Sequence, residues 1–180
     1  HFRSMAFFCG ASDREAVNDG SAGFIPIFLS EISSLWKSGR LGLDTALMQV
    51  SPPDRYGYCS LGTNVDISLS AMMNAKRVIA LMNPQVPRTH GEGFVQINHL
   101  DDIVQIDQPI HEHVVEPNTS TEMDVGKNVA SLIPNGATLQ MGIGTIPNAV
   151  LAALSNHRDL GIHTEMFSDG VLDLYEKGAI

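Results

Sequence analysis

The feature that most constrains the fold is a regular alternation of short β-rich runs and helix-length segments along residues 117–180. The order is a helix in 123–133, a strand in 138–141, a glycine-rich turn, a helix in 147–156, a strand in 161–167 and a helix in 170–178. Strands that alternate with helices of this length predict parallel βαβ units. We therefore predict an α/β fold with parallel or mixed open sheets and helices on both faces.

Residues 1–116 show a less regular form of the same alternation. Ser12 is a candidate N-cap for a first helix, and buried strands are predicted at 43–50 and 77–83 with a helix between them. A loop rich in Pro and Gly follows, and residues 99–117 have the pattern of a β-ladder. The polar segment 116–120 is interpreted as a linker. It divides the chain into two domains, 1–116 and 117–180.

The charge balance and the cysteine content argue against several classes of partner. Eleven Lys and Arg against twenty Asp and Glu give a net charge of −9, without a basic cluster, so neither nucleic acid nor an anionic membrane is an expected partner. No apolar run approaches the ~20 residues that a membrane span needs. Cys9 and Cys59 are interpreted as free thiols in a reducing compartment, which favours the cytoplasm, or the mitochondrial matrix in a eukaryote.

The glycine-rich turn lies in the segment MGIGTIPNAV, residues 141–150. Gly142 and Gly144 follow a predicted strand, and Pro147 stands near the first turn of the next helix, where its missing N–H costs little. Such a turn leaves backbone N–H groups free to hold a phosphate or to stabilise negative charge on a reacting oxygen. Because this turn and the end of the next strand share one edge of the sheet, we expect Gly142 and Gly144 to lie near Glu165.

Two chemistries fit this arrangement. In the first, the turn binds a dinucleotide and Glu165, which follows Gly144 by about twenty residues, holds a ribose hydroxyl. Pro147 then replaces the third glycine of the dinucleotide fingerprint. In the second, the N–H groups form an oxyanion hole and Glu165 attacks a carbonyl carbon as a nucleophile. The pattern alone leaves both open.

Four other residues are weaker candidates for a functional site. Arg88 and His90, in the Pro-rich loop, can contact a carboxylate or a phosphate of a ligand, or can equally cap the loop itself. His111 and His113 have the spacing of a metal-binding pair, but on a strand both would project to one side without an evident third ligand. No metal site is predicted.

Four separated segments resemble the acetyl-CoA hydrolase/transferase family, whose members include the 4-hydroxybutyrate CoA-transferases. The segments are VSPPDRYGYCSLG (50–62), NPQVPRTHG (83–91), LIPNGATLQMGIGTIPNAVL (132–151) and HTEMFSDGVLDLYEKGAI (163–180). The resemblance implies a class I CoA-transferase architecture, with 1–116 as the remainder of an N-terminal domain and 117–180 as the start of a C-terminal domain. It also implies family members more than twice this length, a truncated chain that is inactive alone, and a homodimer or higher homo-oligomer.

The resemblance also assigns roles to residues. It implies that Glu165 is the nucleophile, that Ile143 supplies an oxyanion-hole N–H, and that Gly142, Ile143 and Gly144 contact the acyl-CoA. The implied reaction is a ping-pong transfer of coenzyme A between a short-chain acyl-CoA and a carboxylate through a glutamyl-CoA thioester. Coenzyme A is then a substrate, and no permanently bound cofactor is expected. The alternatives are an acetyl-CoA hydrolase that uses the same glutamate, an NAD-binding oxidoreductase domain, and a scaffold without turnover.

Overall fold

A computed structural model describes residues 2–112 and 117–180, and the chain separates into two compact units, His1–His111 and Glu112–Ile180. The first unit contains β1 (Met5–Ala6), α1 (Ala11–Asn18), β2 (Gly23–Phe24), α2 (Leu29–Lys37), β3 (Leu43–Val50), β4 (Tyr58–Ser60), α3 (Ser68–Asn74), β5 (Ala75–Met82), β6 (Phe94–Gln96), a 3-10 helix (Ile97–His99) and β7 (Asp102–Gln105). The second unit contains α4 (Ser120–Ala130), β8 (Thr138–Leu139), α5 (Thr145–Ala153), β9 (Gly161–Ile162) and α6 (Gly170–Glu176).

The first unit is built on a three-stranded parallel sheet in the order β3–β5–β7. Alternate residues of β3 and β5 are buried, as the two-residue period of a strand requires, and they form a core with Met72 of α3. The residues that β3 and β5 contribute to this core are Ala46, Met48, Val50, Val78, Ala80 and Met82. The unit also contains two smaller sheets: β1 pairs with β2 in parallel, and β4 pairs with β6 antiparallel.

A buried asparagine of the Pro- and Gly-rich loop connects the segments at the carboxyl edge of this sheet by hydrogen bonds. Asn83 is fully buried, and its amide nitrogen donates to Gln49 Oε1 at 3.0 Å and to the Gln108 carbonyl at 2.8 Å. Its side-chain oxygen accepts the N–H of Gln85 at 3.1 Å. These bonds connect the end of β3 with the segments that follow β5 and β7, and they satisfy polar groups that burial removes from water.

The second unit contains a βαβ motif. Strands β8 and β9 pair in parallel, with Thr138 opposite Gly161 and Leu139 opposite Ile162, and α5 lies between them in the chain. The core beneath them is apolar and consists of Ala130, Leu151, Leu154, Leu160, Val171, Leu174 and Ala179. Burial of each fully buried leucine stabilises the folded state by roughly 1.5–3 kcal/mol relative to an exposed leucine. The predicted α/β class with parallel strands is confirmed.

Several element boundaries differ from the prediction. Gly10, not Ser12, is the N-cap of α1, and the Ser12 hydroxyl contacts Asp13 instead. In residues 99–112 and 117, which are the described part of the predicted ladder, there is one strand, β7. Its pairing with β5 ends where the Ile106 N–H donates to the Met82 carbonyl at 3.0 Å. His113 and Glu116, the first residue of the predicted linker, lie outside the described residues.

Within the described residues, no helix is long and apolar enough to cross a membrane. The same residues contain no group of three or more His, Cys, Asp or Glu side chains that could hold a metal ion.

Candidate active site

The carboxyl ends of β8 and β9 lie side by side in the second unit. The N–H of Gly161 donates to the Ala137 carbonyl at 2.9 Å, and the N–H of His163 donates to the Leu139 carbonyl at 2.9 Å. The regular pairing of the two backbones therefore extends to His163, just beyond β9. After this point the first segment enters the glycine-rich turn and the second leads to Glu165.

A single side chain joins the two segments beyond the regular pairing. The hydroxyl of Thr164 accepts the N–H of Met141 at 3.1 Å and donates to the carbonyl of Met141 at 2.9 Å. Met141 directly precedes Gly142, and Thr164 directly precedes Glu165. The predicted proximity of the glycine-rich turn to Glu165 is thus supported by bonds between the residues that immediately precede them.

The two glycines of the turn differ in whether the backbone requires a glycine at their position. Gly144 has φ 113° and ψ −175°, a backbone conformation that is essentially restricted to glycine, although a methyl group there would meet nothing within 4 Å. Gly142 has no positive φ, and a methyl group there would lie 3.9 Å from Cγ of Pro147, which is an ordinary contact. Backbone conformation therefore requires glycine at 144 and not at 142.

The turn presents unpaired backbone donors. Among residues 2–112 and 117–180, no protein acceptor receives the N–H groups of Gly142, Ile143 or Gly144. Helix α5 begins directly after the turn, and the N–H of Asn148 donates to the Gly144 carbonyl at 3.1 Å. The free N–H groups and the positive end of the α5 dipole together favour an anionic oxygen at this place.

Glu165 and Ile143 are both exposed. Glu165 lies in a bend after β9, and Ile143 retains 62% of its accessible surface in the turn. Met166 and Phe167, which follow Glu165, are exposed as well. The carboxylate thus stands in an accessible segment bordered by apolar side chains, where an acyl group can approach it.

Sequence reasoning missed the residues that border this turn. Besides Thr164, Glu122 of α4 forms a capping box with Thr119: its carboxylate accepts the Thr119 N–H at 2.7 Å and the Thr119 hydroxyl at 2.8 Å. The hydroxyl of Thr145, the first residue of α5, and these bonds from Thr119 lower the pKa of Glu122. The signal that could have found this box is the spacing of Thr119 and Glu122, three residues apart at a helix start.

In the first unit, Arg88 joins two of the segments that carry the family resemblance. Its Nη2 lies 2.9 Å from Asp54 Oδ2 and donates to the Tyr58 carbonyl at 2.9 Å. The N–H of Tyr58 is the main cause of a lowered pKa at Asp54, and the N–H of Tyr56 and the charge of Arg88 act in the same direction. Arg88 therefore contacts a carboxylate of the protein itself. His90 packs edge-on against Phe94, with ring centroids 5.6 Å apart.

Comparison with known proteins decides the family. Residues 1–116 match the model of the acetyl-CoA hydrolase/transferase N-terminal domain. This chain belongs to the acetyl-CoA hydrolase/transferase family. The resemblance that the four sequence segments indicated is therefore confirmed.

Relatives within this family cover the whole chain. It is 48% identical to the 4-hydroxybutyrate coenzyme A transferase of Clostridium kluyveri over 180 residues, which is 100% of this chain and 42% of the relative. It is 46% identical to the succinyl-CoA:acetate/propanoyl-CoA:succinate CoA transferase of Fasciola hepatica over 181 residues, which is 100% of this chain and 38% of the relative. The chain thus spans about two fifths of the length of these relatives.

A solved structure gives the same result for the fold. The 4-hydroxybutyrate CoA-transferase from Porphyromonas gingivalis superposes with a TM-score of 0.82 at 40% identity, and the match covers 99% of this chain and 46% of that one. The α/β arrangement described above is therefore that of a CoA-transferase structure.

Proposed function

We propose that a protein of the relatives' length that contains this chain transfers coenzyme A between a short-chain acyl-CoA and a carboxylate, with Glu165 as the nucleophile. One observation carries the proposal. The Thr164 hydroxyl bonds both backbone groups of Met141, so the segment that ends in Glu165 lies beside the turn with unpaired N–H groups. A nucleophilic carboxylate next to oxyanion donors is the combination that acyl transfer needs.

The reaction begins when a carboxylate oxygen of Glu165 attacks the thioester carbonyl carbon of the acyl-CoA. The tetrahedral intermediate collapses by cleavage of the C–S bond, which gives an acyl-glutamyl anhydride and CoA thiolate. The thiolate then attacks the γ-carbonyl carbon of the glutamyl group and breaks its bond to the bridging oxygen. The acyl group leaves as a carboxylate, and a glutamyl-CoA thioester remains on the protein.

The acceptor carboxylate reverses these steps and leaves as the new acyl-CoA, so Glu165 is regenerated. No proton or redox partner is consumed, because each step exchanges one anionic nucleophile for one anionic leaving group. Charge develops on the carbonyl oxygen in each tetrahedral intermediate. The N–H of Ile143 is the proposed donor to that oxygen, with Gly142 and Gly144 shaping the turn that also contacts the acyl-CoA.

Hydrolysis is the second candidate, since the family comprises hydrolases as well as transferases. Water that attacks the anhydride or the thioester yields a free acid and coenzyme A with the same glutamate. The dinucleotide alternative is less well supported, because the relatives described above are CoA transferases and Pro147 replaces the third glycine of the fingerprint.

The proposal extends to the whole protein. Residues 1–116 are the remainder of an N-terminal CoA-transferase domain, and 117–180 begin a C-terminal one. Acetyl-CoA, butyryl-CoA and 4-hydroxybutyryl-CoA with their carboxylates are the proposed substrates, and no permanently bound cofactor takes part. The protein acts as a homodimer or higher homo-oligomer in the cytoplasm or, in a eukaryote, the mitochondrial matrix.

Steady-state kinetics with Glu165→Gln test this function in the full-length protein. With acetyl-CoA and butyrate as substrates, the wild type should give the parallel double-reciprocal lines of a ping-pong mechanism. Glu165→Gln should lower kcat/KM by at least ~10⁴-fold, as loss of a catalytic nucleophile does. Glu176→Gln, which neutralises an exposed glutamate at the end of α6, is the control and should leave the rate unchanged. Full activity in Glu165→Gln would refute the assignment.

A further inference from the structure

We infer that Thr164 is a positioning residue for the reaction of Glu165, and this inference rests on the proposed function. Its hydroxyl accepts the Met141 N–H at 3.1 Å and donates to the Met141 carbonyl at 2.9 Å. One side chain therefore binds both backbone polar groups of a single residue. That residue is the last one before the glycine-rich turn.

The place of this contact explains why a side chain is needed. Backbone pairing of the two strands ends with the bond from the His163 N–H to the Leu139 carbonyl at 2.9 Å. Continued parallel pairing would give the Met141 N–H the carbonyl of His163, but the donor turns to the Thr164 hydroxyl instead. Without the hydroxyl, a half-buried N–H and a half-buried carbonyl would lose their partner, and the two segments would be free to separate.

The contact matters for chemistry because it sets where the turn begins. The far end of the turn is fixed by the positive φ of Gly144 and by the bond from the Asn148 N–H to the Gly144 carbonyl. The near end is fixed by Thr164, which also directly precedes Glu165. The same hydroxyl thus fixes the position of the oxyanion donors relative to the nucleophile. A displacement of ~1 Å between such groups costs on the order of 100-fold in rate.

Two substitutions at Thr164 distinguish the effect of its hydroxyl from the effect of its side-chain shape. Thr164→Val keeps the volume and removes both hydrogen bonds, whereas Thr164→Ser keeps both bonds and removes a methyl group. Thr138→Val is the control: it makes the same change in β8, at an exposed threonine whose hydroxyl forms no hydrogen bond within the described residues. All variants are made in the full-length protein, and circular dichroism checks that each one folds.

The first readout does not depend on activity. Amide hydrogen exchange of the peptide that spans residues 139–146 reports whether the turn is held. Within this peptide, the Met141 amide should exchange at least ~10-fold faster in Thr164→Val than in the wild type, in Thr164→Ser or in Thr138→Val, because its N–H loses its acceptor. Unchanged exchange in Thr164→Val would overturn the inference.

The second readout is the single-turnover rate of glutamyl-CoA thioester formation from acetyl-CoA. We expect Thr164→Val to form the thioester ~10–100-fold more slowly at saturating acetyl-CoA, with KM changed much less, and Thr164→Ser to restore most of the rate. Faster exchange without a slower reaction would mean that Thr164 is only structural and would overturn the inference. A wild type that transfers coenzyme A without any thioester would refute the proposed function itself, and the positioning role with it.

Discussion

At the scale of single residues, the glycine-rich turn imposes unequal demands on its two glycines. Gly144 has a backbone conformation that other residues rarely adopt, whereas Gly142 has neither a positive φ nor a close neighbour. The sequence pattern treats the two glycines alike. Their difference follows from the path of the chain into α5.

Alanine at each glycine should therefore have a different effect on stability. We expect Gly144→Ala to lower the free energy of unfolding by ~1–3 kcal/mol, the usual cost of a strained backbone conformation. Gly142→Ala should change it by less than ~0.5 kcal/mol, as for a surface substitution without strain. Urea denaturation followed by circular dichroism measures both. Equal losses in the two variants would contradict the geometry.

The Asp54 carboxylate gives a pH-dependent contribution to stability. Its pKa is lowered in the folded protein, chiefly by the Tyr58 N–H and also by the Tyr56 N–H and Arg88. A lowered pKa means that the unfolded state binds the proton more readily. The contribution is therefore fully present above the pKa of an unperturbed aspartate (~3.9) and is lost as the pH falls through the folded value.

Asp54→Asn should remove part of this dependence. We expect the variant to unfold more easily than the wild type at neutral pH. The difference should shrink as the pH falls below about 4, because protonation of Asp54 then progressively removes the charge that distinguishes the wild type from the variant. Thermal unfolding between neutral and acidic pH provides the measurement. Asp13→Asn, at a partly exposed aspartate in α1, is the control. A constant difference across this range would argue against the role of the charge.

At the scale of elements, helix α4 is fixed against α5 by a glycine. Gly126 is buried, and a methyl group there would lie 2.6 Å from the backbone carbon and oxygen of Ala149. Alanine normally favours a helix over glycine by ~1 kcal/mol, but a contact with backbone this short forces the helices apart. For alanine at position 126, the free-energy cost of this contact should exceed the gain in helix propensity.

We therefore expect Gly126→Ala to lower the free energy of unfolding by ~1–3 kcal/mol. Asn128→Ala, at an exposed position of the same helix, is the control and should be neutral or slightly stabilising, since alanine has the higher propensity. Chemical denaturation of both variants measures the difference. Stabilisation by Gly126→Ala would show that the two helices do not pack as closely as described.

The sequence predicted the existence of most elements better than their ends. Strand β3 has the predicted bounds, because its buried and exposed residues alternate clearly. The strand predicted at 161–167 ends at Ile162, since beyond His163 the Thr164 side chain replaces backbone pairing. Helix α4 begins at Ser120 rather than 123, because its cap is Thr119. Side-chain hydrogen bonds determine these ends, and local apolar patterns do not reveal them.

At the scale of the whole molecule, the alternation of strands and helices predicted the α/β class, and family motifs predicted the family. Glu165 and the glycine-rich turn could be identified from the sequence as candidate site residues, because a βαβ unit places both at one edge of the sheet. The contacts of Thr164 and Arg88 could not, since they depend on directions of side chains that are 23 and 34 residues from their partners in the chain.

Covalent attachment of coenzyme A to Glu165 distinguishes the proposed mechanism from its alternatives. The most direct test is the intact mass of the full-length protein after brief exposure to acetyl-CoA, with Glu165→Gln and Glu176→Gln measured in parallel. We predict an increase equal to coenzyme A less one water in the wild type and in Glu176→Gln. The adduct should be absent in Glu165→Gln, and added acetate should remove it. An adduct that persists in Glu165→Gln, or transfer of coenzyme A without any adduct, would refute the role of Glu165 as the nucleophile.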